Sequence, residues 1–186
     1  SFDAMVDHRT KSIASRIDHT LLKAEATWTA VQKTIAQAIE HRFASVCINP
    51  VYVKGTANKL KGTGVRTCTV VGFPLGANDI TIKSSEAVIA LKHGAEEIDF
   101  VAALPLLLDC DASAATDEFR HIAQDIRETR PDAIIKVIIE TAALMATDDA
   151  ALAERRIATA CRAANAAGLD FVKTSTGFHP AGGATV

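Results

Sequence analysis

What most constrains this chain is an alternation. Short runs that are apolar on both faces alternate with helical patterns, and six such runs occur. Ser45–Asn49, Thr67–Val71, Ile98–Val101, Ile134–Ile139 and Phe171–Thr176 read as strands, with Arg16–Thr20 a weaker first one. Several stop at a turn former: Pro50, Gly72 and Gly177. Strands of this kind belong in a parallel sheet covered by helices. Between them, Thr27 caps a helix whose Trp28, Val31, Ile35 and Ile39 share one face. Thr147 caps an alanine-rich helix with Asp148 and Asp149 in its first turn, which runs through Ala167 and stops at Gly168. Thr81–His93 stops in the same way at Gly94. A short helix precedes the first strand.

Repeated βα units build either a doubly wound sheet or a (β/α)₈ barrel. No glycine-rich dinucleotide or phosphate loop follows any strand, which argues against the first. Eight units at this spacing need about 250 residues, and 186 residues hold six. The fold class is therefore α/β: one (β/α)₈ barrel domain over residues 1–186, covering about six βα units and truncated at its C-terminal end. A barrel short of two strands has two unpaired sheet edges, which invite pairing between copies, a homodimer among the forms expected.

Composition narrows the function. The chain is 48% hydrophobic and 23% charged, ordinary for a globular protein. Its net charge of −2 gives no electrostatic footprint for nucleic acid. The longest apolar run, Phe100–Leu108, contains Pro105 and is far short of the roughly 20 residues that cross a bilayer. No membrane partner is expected. Cys47, Cys68, Cys110 and Cys161 form no C-x-x-C pair and read as reduced thiols of a cytoplasmic protein.

The chemistry concentrates on three strand residues. Lys173 lies between Val172 and Thr174, and an ammonium held in an apolar strand is disfavoured by desolvation. A lysine kept as free amine can form a Schiff base. The plainer account is a lysine that reaches solvent or pairs with Asp170. Lys136 lies in the preceding apolar strand, and two neighbouring cations disfavour each other's charge. Asp99 is a third ionisable group in an apolar run, either part of the site or a salt-bridge partner for one lysine. Three such groups on strands four, five and six point to an active site. A short internal echo supports this: Asp99 and Lys173 each stand five residues past a helix-ending glycine, Gly94 and Gly168, and Cys47 stands five past Arg42. Asp18, Thr20 and Glu140 stand at strand ends, where each could meet substrate or merely cap a turn. Cys47 is either reactive or a small buried hydrophobe. Among His8, His19, His41, His93, His121 and His179 there is no H-x-H or H-E-x-x-H spacing, so no metal is expected. No G-x-S-x-G elbow is present.

These stretches resemble one family, the deoxyribose-phosphate aldolases. They are Ile17-Asp18-His19-Thr20-Leu21-Leu22-Lys23, Ser45-Val46-Cys47-Ile48-Asn49-Pro50, and Cys68-Thr69-Val70-Val71-Gly72-Phe73-Pro74-Leu75-Gly76. Further on come Gly94-Ala95-Glu96-Glu97-Ile98-Asp99, Lys136-Val137-Ile138-Ile139-Glu140-Thr141 and Phe171-Val172-Lys173-Thr174-Ser175-Thr176-Gly177. The resemblance implies a (β/α)₈ barrel and a cofactor-free lyase of deoxyribonucleotide catabolism. Such an enzyme cleaves 2-deoxy-D-ribose 5-phosphate to D-glyceraldehyde 3-phosphate and acetaldehyde. It implies Lys173 as the Schiff-base residue and Asp99 in proton transfer. Lys136, Asp18, Thr20, Cys47 and Thr176 are implied as substrate contacts. It also implies a seventh strand with a second essential lysine and an eighth strand at the phosphate. Nine residues follow Gly177, none of them lysine, so the expectation is a chain short of about a quarter of the family's barrel. Two other readings stay open: a Schiff-base aldolase of different specificity, and a non-catalytic sugar-phosphate-binding barrel or inactive fragment.

Overall fold

A computed structural model describes residues 13–184. Its elements are β1 (Asp18–Leu21), α1 (Trp28–His41), β2 (Ser45–Ile48), a 3₁₀ turn (Pro50–Tyr52), α2 (Val53–Leu60), β3 (Arg66–Val71) and α3 (Ile80–Lys92). They continue with β4 (Glu97–Val101), α4 (Leu104–Leu108), α5 (Ala112–Thr129), β5 (Ile134–Ile138), α6 (Thr141–Leu144), α7 (Ala150–Ala166) and β6 (Phe171–Lys173). The expected N-terminal helix lies outside the described residues. Hydrogen bonding joins the strands in the order β1-β2-β3-β4-β5-β6. A strand order that follows the sequence is the order of a βα barrel, whereas a doubly wound sheet reverses at a switch point. Among the described residues no helix is long and apolar enough to cross a membrane.

The chain divides into two compact units. The first holds the residues through Thr69 together with Lys92–Glu97. Here β1, β2 and β3 pair in parallel, with Asp18, Ser45 and Arg66 on one register row and Thr20, Cys47 and Cys68 on another. Thr27 caps α1 as expected, its hydroxyl accepting from Ala30 N at 3.3 Å. The buried face of α1 is Val31, Thr34, Ile35 and Ala38, the i, i+3, i+4, i+7 spacing of a helix against a core. Ile39, expected on that face, is 39% exposed, because Ala38 takes its place. Trp28 stacks on Tyr52, and a Cβ on Gly55 would come within 2.7 Å of the indole. That contact explains a glycine inside α2, where it otherwise weakens a helix.

The second unit comprises Val70–Leu91 and the residues from Ile98 onward. β5 and β6 pair in parallel, with Lys136 opposite Phe171 and Ile138 opposite Lys173. The apolar run Phe100–Leu108 divides into the end of β4 and the start of α4, with Pro105 in the first turn of the helix, where a missing N–H costs nothing. Asp149 rather than Thr147 caps α7: its carboxylate accepts from Leu152 N at 3.0 Å, while Thr147, two residues earlier, accepts from Asp149 N. Aspartate caps as well as threonine does. β6 ends at Lys173 instead of Thr176. The reason is local: Thr176 N donates to the Glu140 carboxylate at 3.1 Å and not to a strand. Gly76 approaches the chain so closely that a Cβ there would stand 2.2 Å from Ala102 O.

One interaction in this unit gave no sequence signal. Lys83 of α3 is fully buried, and its Nζ donates to Glu118 Oε1 of α5 at 2.7 Å and to Val101 O of β4 at 2.9 Å. The other Glu118 oxygen accepts from Ala103 N at 3.0 Å. Removing one member of a buried pair strands the other, at about 3–5 kcal/mol. Glu118→Ala is therefore expected to lower the unfolding free energy by that amount in urea melts. The double variant Lys83→Met/Glu118→Leu, which strands no charge, loses less than Glu118→Ala alone.

A second expectation concerns the mouth of α3. Asp79 Oδ1 accepts from Thr81 Oγ1 at 2.6 Å and from Thr81 N at 2.9 Å. These bonds favour the ionised form and hold the Asp79 carboxyl below its ordinary value of 3.8. A lowered carboxyl stabilises the fold fully above the unfolded value, and that stabilisation fades as pH falls through the folded one. In an NMR titration Asp79 should ionise below 3.8, and in Thr81→Ala it should move back toward that value.

Candidate active site

Alternation along the strands decides which side chains meet. In β4 Phe100 packs edge-on against Phe119 of α5, with ring centres 5.5 Å apart, so Asp99 points to the opposite face. In β5 Lys136 and Ile138 share a face, and their register partners on β6 are Phe171 and Lys173. Both lysines therefore project from the same side of the sheet.

The three groups converge. Lys173 Nζ lies 2.5 Å from Asp99 Oδ2, and Lys136 Nζ lies 3.2 Å from Asp99 Oδ1. The Asp99 side chain is fully buried, the Lys136 side chain is 6% exposed and the Lys173 side chain is 29% exposed. One carboxylate thus serves two amines, and only one of the amines opens appreciably toward solvent. A carboxylate between two lysines can balance one positive charge and not two. A reachable amine thus stands beside a buried carboxylate and a second amine, the groups that covalent and proton-transfer chemistry use.

Of the two plainer accounts of Lys173, reach to solvent and pairing with Asp170, the first is met in part, at 29% exposure, and the second is not. Asp170 is engaged elsewhere: its carboxylate accepts from Ile135 N at 2.8 Å and from Arg127 Nη2 at 2.9 Å. The echo after Gly94 and Gly168 places Asp99 and Lys173 together.

The remaining predicted site residues fall into two groups. Thr176 stands beside the cluster in sequence, 8% exposed, with its N–H and hydroxyl both on Glu140. Asp18, Thr20 and Cys47 belong to the first unit. There Asp18 Oδ1 accepts from Ser45 Oγ at 2.8 Å, and the exposed Thr20 hydroxyl donates to Asp18 O at 2.8 Å. Cys47 is fully buried, on the register row of Thr20 and Cys68. Glu140 is the residue whose part sequence reasoning left open between substrate contact and cap; the structure buries it against Thr176.

A βα-repeat protein with an amine–carboxylate–amine cluster on successive strands belongs to the broad class in which a buried lysine can do covalent chemistry. Comparison with known proteins narrows that class. The family model of the DeoC/LacD aldolases matches residues 3–185, and the chain belongs to this family. A deoxyribose-phosphate aldolase of Thermoanaerobacter pseudethanolicus is 46% identical over 175 residues, which cover 94% of this chain and 74% of that protein. The deoxyribose-phosphate aldolase of Streptococcus mutans is 44% identical over 169 residues, 89% of this chain and 70% of that protein. Among solved structures, a candidate deoxyribose-phosphate aldolase of Coccidioides immitis superposes with a TM-score of 0.80 at 38% identity. The match covers 91% of this chain, which spans 62% of that one. The tetrameric deoxyribose phosphate aldolase of Aeropyrum pernix superposes with a TM-score of 0.78 at 32% identity, over 91% of this chain and 67% of that one.

Proposed function

We propose that the chain carries the reacting lysine of an aldolase that cleaves 2-deoxy-D-ribose 5-phosphate to D-glyceraldehyde 3-phosphate and acetaldehyde. The observation that carries the reading is the contact of Lys173 with Asp99, whose second oxygen faces Lys136. Relatives at 44–46% identity that are deoxyribose-phosphate aldolases support the substrate.

In this reaction the neutral Lys173 amine attacks C1 of the open-chain aldehyde, and loss of water leaves a protonated imine. A base removes the proton of the C3 hydroxyl, and the C2–C3 bond breaks. Its electrons move into the imine to form an enamine, while C3 leaves as the aldehyde carbon of glyceraldehyde 3-phosphate. Protonation of the enamine at C2 and hydrolysis release acetaldehyde and restore the amine. The imine nitrogen is the electron sink, so the scheme requires neither metal nor cofactor. Asp99 relays protons at the reacting lysine and offsets the positive charge that the imine brings. Lys136, less exposed, keeps its charge on Asp99 and favours the neutral form of Lys173.

Borohydride reduction in the presence of substrate, followed by peptide mass mapping of the full chain, tests the assignment. The adduct is expected on Lys173, and Lys173→Ala should lose both adduct and turnover. Asp99→Asn keeps the shape without the base; turnover should fall by about 10²–10⁴-fold, the usual share of a general acid–base group, while trapping survives more slowly. Dialysis against a chelator should leave turnover unchanged. An adduct on Lys136 in the Lys173→Ala variant would show that the wrong lysine has been chosen.

A further inference from the structure

We propose that Glu140 is a positioning residue for the Lys173 chemistry: its buried carboxylate fixes the turn that follows the lysine. The inference rests on the reading of Lys173 as nucleophile. Glu140 follows Ile139 just after β5 and is 1% exposed. Its backbone is left-handed, with φ 52° and ψ 60°. A residue other than glycine is uncommon there and persists only where its surroundings over-determine it.

Those surroundings are the Lys173 segment itself. On one side of Glu140, Ile139 N donates to Lys173 O at 3.0 Å; on the other, Thr141 N donates to Thr174 O at 2.7 Å. The main chain around Glu140 thus grips two successive carbonyls, the first of them on the reacting lysine. The side chain reaches one step further. Thr176 N donates to Oε1 at 3.1 Å and to Oε2 at 3.4 Å, and the Thr176 hydroxyl donates to Oε2 at 2.5 Å. Thr176 Oγ1 in turn accepts from Phe178 N at 3.1 Å. Glu140 therefore acts on Lys173 through the chain, from both ends of the Lys173–Phe178 stretch.

A buried carboxylate is an expensive way to fill space, and it is retained where its donors need it. Here the donors belong to a turn three residues from a group that must meet a carbonyl carbon in the right geometry. Both Thr176 donors are committed to Glu140, so the part of Thr176 is to hold this turn. A displacement of about 1 Å at a reacting group can lower the rate by about 10²-fold.

The test separates positioning from mere folding. Exhaustive borohydride trapping with 2-deoxyribose 5-phosphate counts the competent Lys173 sites in each preparation of the full chain, and kcat is expressed per trapped site. A purely structural role would lower the number of sites and leave kcat per site unchanged. Glu140→Ala is expected to lower kcat per site by about 10–100-fold, with KM little changed. Glu140→Gln retains a carbonyl acceptor for Thr176 and should recover most of that loss. Thr176→Val should fall in parallel with Glu140→Ala, and the double variant should be no worse than the worse single, because the two share one interaction. If Glu140→Ala does not fold, Thr176→Val decides alone. Unchanged kcat per site in the variants, with a normal adduct in the parent, overturns the positioning role only. Absence of any Lys173 adduct in the parent overturns the nucleophile assignment and this inference with it.

Discussion

The second unit is organised around a carboxylate that has no solvent. Asp99 is fully buried, and amines from two other strands reach its two oxygens. A charged lysine inside an apolar strand is tolerable only with a counter-charge, and Asp99 supplies one to the pair of lysines that face it. The same contacts fix register. Slipping β5 or β6 by one residue would turn its lysine to the opposite face, away from Asp99. The cluster therefore specifies the alignment of the strands as much as it uses it.

A second theme is how backbone N–H groups at the strand ends are satisfied. Parallel strands run out of ladder partners at their ends, and a buried N–H without an acceptor is costly. Here carboxylates supply the acceptors. Gly72 N, just past β3, donates to Glu86; Ala103 N, just past β4, donates to Glu118; Thr176 N, past β6, donates to Glu140. At the start of β5, Ile135 N donates to Asp170. Each carboxylate comes from a different part of the chain, Glu86 and Glu118 from helices and Glu140 and Asp170 from connections, so each bond also ties a strand end to its surroundings. The Lys83–Glu118 pair adds to this at β4, since Lys83 takes Val101 O while Glu118 takes Ala103 N. Two bonds hold the chain two to four residues past Asp99.

The strands were legible because most are short apolar runs, several of them ended by a turn former, and five of the six begin and end within about two residues of the sequence reading. β6 was read three residues too long, because Thr174–Thr176 look β-like and only the fold brings Glu140 to Thr176. The pairing of Lys173 and Lys136 with Asp99 could be anticipated, since ionisable residues inside apolar strands stand out against their neighbours. Lys83 could not. In a helix every third or fourth residue is buried, and a lysine at such a position looks like any exposed lysine until its partner Glu118 is seen 35 residues away. Thr147 misled for a related reason: two good capping residues stand two apart, and the sequence does not say which one the helix chooses.

In the proposed reaction, the difference in exposure between the two lysines divides their labour. With Lys136 protonated and Lys173 neutral, the cluster carries one positive and one negative charge and is balanced. Once the imine is protonated, a second positive charge appears beside the Asp99 oxygen that Lys173 already faces at 2.5 Å. The stabilising charge is thus in place before it is needed, and no solvent has to reorganise around it. Exposure supports that division: an amine that must meet a sugar has to be reachable, as Lys173 is at 29%, while a charge that must stay in place is better held as Lys136 is, at 6%. Exchanging the two roles would put the nucleophile where no substrate can reach it.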